Sequence, residues 1–313
     1  MPRVSVAMSV YNCEEYLPAS IDSILSQTFE DFEFIIVDDG STDRSAEIAR
    51  SYADSRIVFL QQSNQGVAKA LNHALQFAHG VYVARQDADD ISFPDRFRKE
   101  VAFLDAHPRI AVVGTAAALI DRTGRQFSTF MPFVRHDRLV KELKRGVCPI
   151  MHGAVMLRRT ALTQCGVYNP VFNWMQDVEL WLRLSKYHRL ANMREVLYQF
   201  RKHDSSITHK ARIDLRVKEF AKTGKLQPET KVEDWTDFCK QFDDECEAGR
   251  WNDTFEAENR LRKAQIEFAK GQPLRAVRWV ADAVRLNPAL VTDVPARVGR
   301  RVWRSLPVIG GLF

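Results

Sequence analysis

A mostly parallel α/β sheet with helices on both faces, followed by a helical C-terminal appendage, is the fold class that three observations predict. Short apolar runs alternate with helix-spaced runs from the N-terminus to about residue 100, polar clusters rich in aspartate close the apolar runs, and beyond about Ile207 β formers give way to charged helix formers. Arg3 to Val10 is a short β-rich run, and from Tyr16 to Leu25 the residues Leu17, Ile21, Ile24 and Leu25 recur at helical spacing. Phe32 to Val37 is almost unbroken in its apolar character, as a strand covered on both faces requires, and it stops at Asp38, Asp39, Gly40 and Ser41. The pattern then predicts a helix from about Asp43, a strand over Ile57 to Leu60, a helix over Val67 to Ala78 with Val67, Leu71, Ala74, Leu75 and Ala78 inward, and a strand over Val81 to Ala84.

Strands joined through helices take right-handed crossovers, so they lie parallel and their C-terminal loops share one edge. Ligands of open α/β sheets bind at that edge. Three polar clusters are therefore predicted to converge there: Ser9 to Asn12, Asp38 to Thr42, and Asp87 to Asp90. From Ile110 to about Arg201 the alternation is lost. Runs at Ile110 to Ala118, Ala154 to Leu157 and Val196 to Phe200 are predicted strands and Val178 to Leu184 a helix, completing the sheet and carrying an acceptor site. Two domains are expected, 1–210 and 211–313. In the second, Ala264, Gly271, Ala276, Ala283 and Pro288 fall at the spacings of a single tetratricopeptide-like hairpin, with ordinary helix-hairpin packing as the alternative.

The 313 residues are 45% apolar and 27% charged, with a net charge of +5, which excludes a disordered chain and a small stapled scaffold. Cys13, Cys148, Cys165, Cys239 and Cys246 are odd in number and form no CxxC pair, so neither a disulfide framework nor a zinc knuckle is expected. No apolar run reaches the roughly 18 residues of a membrane span, and Met1 leads straight into the first apolar run, so the expected location is cytoplasmic. Arg297, Arg300, Arg301 and Arg304 supply four units of the +5. On a helix they gather opposite Val298, Val302, Trp303 and Leu306, a pattern that suits an anionic membrane surface at the inner face of the plasma membrane and equally suits docking on the protein's own domain. Basic residues do not interleave with aromatics along the first two hundred positions, so nucleic acid is not an expected partner.

Asp87 and Asp89 place two carboxylates at the end of a buried strand, where a divalent cation would relieve their repulsion. Hard oxygen ligands suit Mg²⁺ or Mn²⁺, which complete their shells with waters and nucleotide phosphates. Asp38 and Asp39 read either as turn and cap residues or as acceptors for a base N–H. Trp174 reads either as an aromatic platform for a ligand or as core.

SVAMSVYN at Ser5 to Asn12, IIVDDGSTD at Ile35 to Asp43, NQGVAKALNHAL at Asn64 to Leu75, DADD at Asp87 to Asp90 and QDVELWLRL at Gln176 to Leu184 occur in an order and spacing that resembles glycosyltransferase family 2. The resemblance covers roughly the first two hundred residues. It implies the GT-A fold, a nucleotide-diphosphate sugar donor, a divalent metal and inversion at the anomeric carbon, in bacterial surface polysaccharide or glycolipid assembly with a glycan or lipid-linked sugar as acceptor. Carried over residue by residue, it implies that Ser9 to Tyr11 wall the nucleotide, Asp39 holds the base, Asp87 lies near the ribose and metal, and Asp89 is a metal ligand. Lys69 matches a diphosphate contact or a solvated surface lysine. Asp177 matches the general base, although Gln176 stands where family members often carry Glu, and as a plain structural residue Asp177 would cap the helix that follows. His203 matches a histidine near the metal or pyrophosphate, and His152 lies in a segment similar to the acceptor-side strand, with a core histidine as the alternative. The rival functions are a catalytically idle nucleotide-sugar or glycan-binding module and a nucleotidyltransferase, though SVYNCEEY lacks the glycine-rich basic loop that the latter uses.

Overall fold

The computed structural model describes residues 1–172, 175–203, 211–248, 252–269 and 272–288. They fall into two compact units, one formed by Met1–His203 with Val217–Trp235 and the other by Asp204–Arg216 with Thr236–Phe313.

The first unit is built on a nine-stranded sheet in the order β3-β2-β1-β4-β8-β6-β9-β5, with β7 beside β6. Its N-terminal half follows the alternation read in the sequence: β1 (Val4–Val10), α1 (Leu17–Leu25), β2 (Phe32–Asp38), α2 (Ser45–Ser51), β3 (Ile57–Gln61), α3 (Val67–Gln76) and β4 (Tyr82–Asp87). β1 pairs in parallel with β2 and β4, and β2 with β3. Val4, Val6, Met8 and Val10 of β1 bury against Leu17, Ile21 and Ile24 of α1 and against Phe97, Val101 and Leu104 of α4 (Arg96–Ala106). β4 runs three residues further than its apolar run, through Arg85 and Gln86 to Asp87, so the aspartate cluster begins on the strand itself.

The second half adds β5 (Ile91–Ser92), β6 (Ile110–Ile120), β7 (Gln126–Phe130), α5 (His136–Leu143), β8 (Met156–Arg158), α6 (Arg159–Cys165), α7 (Gln176–Ser185) and β9 (Arg189–Arg201). β8 pairs antiparallel with both β4 and β6, and β6 pairs in parallel with β9. The strand expected from Ala154 starts instead at Met156, because His152–Ala154 closes a 3-10 turn in which the Ala154 N–H donates to the Met151 carbonyl at 3.0 Å. The run Val196 to Phe200 is the last part of the longer β9. In the same unit Trp235 stacks on Phe172 and meets Phe220 edge-on, and its Nε1–H donates to the Val171 carbonyl at 3.2 Å, bracing the segment that leads into α7.

In the second unit, the helices Asn252–Ala269 and Pro273–Leu286 close on each other through Ala257, Leu261 and Ala264 against Ala276, Val280 and Ala283. Small residues at the contact let the two helices approach closely. Gly271 and the basic segment Arg297 to Arg304 lie outside the described residues. Among the described residues no helix is long and apolar enough to cross a membrane.

One buried cation locks the sheet behind the aspartate cluster. Arg96 is fully buried, and its guanidinium donates to Glu100 Oε2 at 3.2 Å, Gln86 Oε1 at 3.2 Å, Ser92 Oγ at 2.9 Å and the carbonyls of Arg85 and Val155 at 2.9 and 3.1 Å. It thereby joins β4, β5 and the chain entering β8. Removing one partner of a buried ion pair leaves an uncompensated charge and typically costs about 3–5 kcal/mol, so Arg96→Met is expected to lose stability of that order in urea unfolding. The double variant Arg96→Met/Glu100→Leu is expected to recover part of the loss. An unchanged midpoint in the single variant would remove the clamp from the account.

Candidate active site

Register brings the polar strand ends level. Ser9 stands opposite Val37 on one side and Asp87 on the other, and Val10 opposite Asp38. The loops beyond them interlock. The Asn12 N–H donates to Ser41 Oγ at 3.0 Å, and Asn12 Oδ1 accepts the Thr42 N–H at 2.7 Å. Asn12 pays for this with a left-handed backbone, φ 49°, which a short polar side chain tolerates. Tyr11, beside it, is 51% exposed at the mouth of the crevice. Gly40, at φ 74°, passes so close to the next loop that a Cβ there would sit 2.7 Å from the Asn64 nitrogen.

Asp39 is 3% exposed and does not cap α2, whose first residue is Ser45. Its carboxylate instead accepts the backbone N–H groups of Gln65 and Gly66 at 2.9 and 2.8 Å and Gln62 Nε2 at 2.7 Å, fixing the loop that opens α3. Lys69 stands exposed on the first turn of α3.

The carboxylates at the end of β4 are held one by one. Asp87 Oδ1 accepts the Arg85 guanidinium at 2.7 Å. Asp89 Oδ2 lies 2.9 Å from His203 Nε2, and the His203 ring leans on Tyr16 with centroids 4.7 Å apart. Asp90 is fully buried; Oδ1 accepts the Arg201 N–H at 2.7 Å, while Oδ2 has no partner among the described residues. Burial first, then the charges of Asp89 and Asp87, push the Asp90 carboxyl well above the usual range. Burial and the same acids push the Cys13 thiol up, which places the loop after β1 within their field. Three carboxyl groups crowded at one strand end, two of them partly exposed and the third with an unsatisfied oxygen, fit a hard divalent cation. Among the described residues no three His, Cys, Asp or Glu side chains form a ready-made cage, so Asp89 and His203 would leave most of the shell to phosphates and water.

On the other wall, Asp177 occupies the second position of α7 rather than its cap, which is Met175. Val178, Leu180, Trp181 and Leu184 bury the helix face and fix the first turn, where a carboxylate is favoured by the helix dipole. Asp177 Oδ1 accepts the Val178 N–H at 2.9 Å, and Oδ2 the Cys148 thiol at 3.4 Å. His152 Nε2 lies 2.8 Å from Tyr168 Oη. Burial and then the Arg85 guanidinium push His152 down to about 4, against the opposing pull of Asp177 and Asp87. Tyr168 feels the same Arg85, Asp177 and Asp87. The His152–Tyr168 pair therefore lies within the field of both Asp87 and Asp177.

Trp174 lies outside the described residues. The residues that sequence reasoning passed over are Arg85, Cys148, Tyr168, Tyr198 and Arg201; Arg85 meets the neighbouring Gln86 carbonyl and Asp87, and the other four are defined by contacts far away in the chain. Arg201, for example, donates from Nε to the Asp89 carbonyl at 2.9 Å and lies over the Tyr16 ring at 4.7 Å.

The chain matches the profile described as glycosyl transferase family 2 over residues 5–166. It is 41% identical over 207 residues to the putative glycosyltransferase EpsE of Bacillus subtilis, covering 64% of this chain and 73% of that protein. It is 32% identical over 203 residues to the amylovoran biosynthesis glycosyltransferase AmsE of Erwinia amylovora, covering 63% of this chain and 75% of that one. In structure it is similar to the mannosyltransferase PcManGT of Pyrobaculum calidifontis, solved with GDP-Man and Mn²⁺, with a TM-score of 0.56 at 19% identity over 94% of this chain and 87% of that chain. The sheet, its helices and the crevice at the strand ends are those of a GT-A glycosyltransferase. The chain belongs to glycosyltransferase family 2. That membership places it among enzymes, and sets aside the binding-module and nucleotidyltransferase readings.

A histidine whose folded pKa is depressed below its ordinary value contributes stability that is lost as pH falls, because the unfolded chain takes up a proton the fold refuses. Between about pH 6.5 and 4, wild type is therefore expected to lose melting temperature relative to His152→Gln, with the two curves running parallel above that window. Parallel curves throughout would show that His152 titrates as it does in the unfolded chain.

Proposed function

We propose that the protein is a divalent-metal-dependent, inverting glycosyltransferase. It moves a sugar from a nucleoside diphosphate donor to a hydroxyl of a glycan or lipid-linked sugar, in the assembly of a surface polysaccharide. The observation that carries this reading is the convergence at the ends of parallel strands: Ser9 of β1 stands opposite Asp87 of β4, Val10 opposite Asp38 of β2, and Asp89 Oδ2 lies 2.9 Å from His203 Nε2. The relative named for amylovoran biosynthesis supports the substrate class, and the GDP-Man and Mn²⁺ of the mannosyltransferase support the donor and metal classes.

In this reading Ser9 and Tyr11 form the nucleotide wall, Asp39 receives the base while steadying the α3 loop, and Lys69 faces the diphosphate. Asp87 accepts a donor hydroxyl. Asp89 and His203 would hold Mn²⁺ or Mg²⁺, which when bound supplies positive charge opposite the departing diphosphate. Asp177 takes the proton of the acceptor hydroxyl as its oxygen bonds to the anomeric carbon, and the glycosidic electron pair leaves on the diphosphate oxygen. One general base suffices for a single displacement. His152 is neutral at physiological pH and pairs with Tyr168, so it shapes the acceptor wall by hydrogen bonding and adds no charge beside the base. Trp174, two positions before α7, is the aromatic proposed to stack on the acceptor sugar. The basic helix around Arg297 to Arg304 is proposed to hold the enzyme at an anionic membrane near a lipid-linked acceptor.

Asp177→Asn is expected to lower kcat by about 10²–10⁴-fold, the usual scale of general-base catalysis, with donor KM changed less than about twofold. Asp89→Ala is expected to lose about 10³-fold or more of turnover and its response to added Mn²⁺. Wild-type turnover in Asp177→Asn would take the base role from that residue. For the membrane arm, deleting the residues after Val294 is expected to reduce co-sedimentation with anionic liposomes, and undiminished binding would end that part of the proposal.

A further inference from the structure

Asp87 is the most tightly specified carboxylate of the cluster, and the group that specifies it is a cation the mechanism above does not use. Arg85 lies two residues earlier on the same strand, so its side chain emerges on the same face. Its side chain is 3% exposed against 30% for Asp87. One arm of the guanidinium donates to Asp87 Oδ1 at 2.7 Å, another donates to the Gln86 carbonyl, and Nε is buried with no partner among the described residues. The Arg85 backbone is itself pinned, donating its N–H to the Val155 carbonyl at 2.9 Å.

The rest of Asp87 is equally constrained. Its N–H donates to Tyr198 Oη at 3.2 Å. Its Oδ2 looks toward Gly153, where an added Cβ would stand 2.5 Å from Oδ2 and 2.2 Å from Tyr198 Oη. A side chain at position 153 is thus incompatible with Asp87 where it stands. Oδ1 accepts from Arg85, and Oδ2 lies on the Gly153 side of a carboxylate that keeps 30% exposure. Without the guanidinium, nothing charged would hold Asp87 away from Asp89, two residues on. A carboxylate able to turn would then compete for whatever cation Asp89 and His203 hold.

We infer that Arg85 is a positioning residue for donor recognition: it holds Asp87 by Oδ1, presents Oδ2 to a hydroxyl of the nucleoside diphosphate sugar, and keeps Asp87 out of the cation site at Asp89. The inference rests on the proposed reading of Asp87 as a donor contact. It divides the two aspartates of the DxD pair into a hydroxyl acceptor and a cation ligand, with Arg85 as the cause of the division. Arginine suits the task because its planar fork fixes orientation as well as charge, which a lysine ammonium cannot do.

The test measures UDP and GDP affinity by calorimetry with and without Mn²⁺, alongside Mn²⁺ affinity without nucleotide, in wild type, Arg85→Met, Arg85→Lys, Asp87→Asn and Arg85→Met/Asp87→Asn. A hydrogen bond to a charged group corresponds to roughly tenfold or more in affinity, so Arg85→Met is expected to weaken the nucleotide that binds wild type by at least about tenfold without Mn²⁺. Arg85→Lys is expected to fall between it and wild type, and Mn²⁺ affinity without nucleotide is expected not to decrease in Arg85→Met. The double variant is expected to bind no more weakly than Asp87→Asn alone, and it relieves the unpaired buried charge, so it reports even if Arg85→Met folds poorly. Nucleotide affinity in Arg85→Met equal to wild type, with Asp87→Asn weakened, would overturn the role of Arg85. Undiminished affinity in Asp87→Asn would instead remove the donor role of Asp87 on which the inference stands. A double variant clearly weaker than Asp87→Asn would show Arg85 acting apart from Asp87 and would also overturn it.

Discussion

The constraint on which the molecule is organised is the crowding of Asp87, Asp89 and Asp90 at the end of one buried strand. Three carboxylates so close cannot all be ionised in a low-dielectric setting unless each is answered, and the fold supplies a different answer for each. Arg85 takes Asp87, His203 takes Asp89, and a backbone N–H from the end of β9 takes one oxygen of Asp90. The second half of the sheet is therefore more than a continuation of the first. β9 reaches the cluster because β6 carries it there in parallel, and its last residue, Arg201, and His203 two positions beyond it meet the acids. Arg96 lies one layer deeper and secures the strand that bears the cluster without touching the carboxylates themselves.

Asp39 illustrates how a residue can hold a loop and still belong to a crevice. Its carboxylate gathers two amides and a side chain ahead of α3, which aims the start of that helix at the same edge as the aspartates of β4. The turn and the helix therefore arrive together. Holding this loop and receiving a ligand are compatible roles for Asp39, since a carboxylate has lone pairs for both.

The first four strands and their helices were legible because each carries its own period, and the strand-end clusters were legible because polarity changes abruptly where an apolar run stops. The DADD cluster was visible for the same reason. Arg85 was not, since a basic residue beside an apolar run looks like the end of a strand, whereas here it continues β4 and is neutralised by the next residue on its face. The start of β8 was misplaced because Ala154 and Val155 are apolar enough for a strand, and only the tight turn at His152–Ala154 shows that the chain is still bending. Tyr168 and Cys148 had no local signal at all. Their importance comes from partners that are distant in sequence, and no period within a window reports such a contact.

The clamp between Asn72 and Tyr168 has a bearing on how the loop from α6 to α7 is held. Asn72 of α3 donates to the Tyr168 carbonyl at 2.7 Å and accepts its N–H at 3.1 Å, imitating a strand partner with a single side chain. Tyr168 in turn holds His152. The loop from α6 to α7 is thereby held at two separate points. Tyr168 answers to α3, and the stretch just beyond it answers to Trp235, which stacks on Phe172 and donates to the Val171 carbonyl. A displacement of α3 would therefore reach His152 through Tyr168, while the entry to α7 keeps a brace of its own.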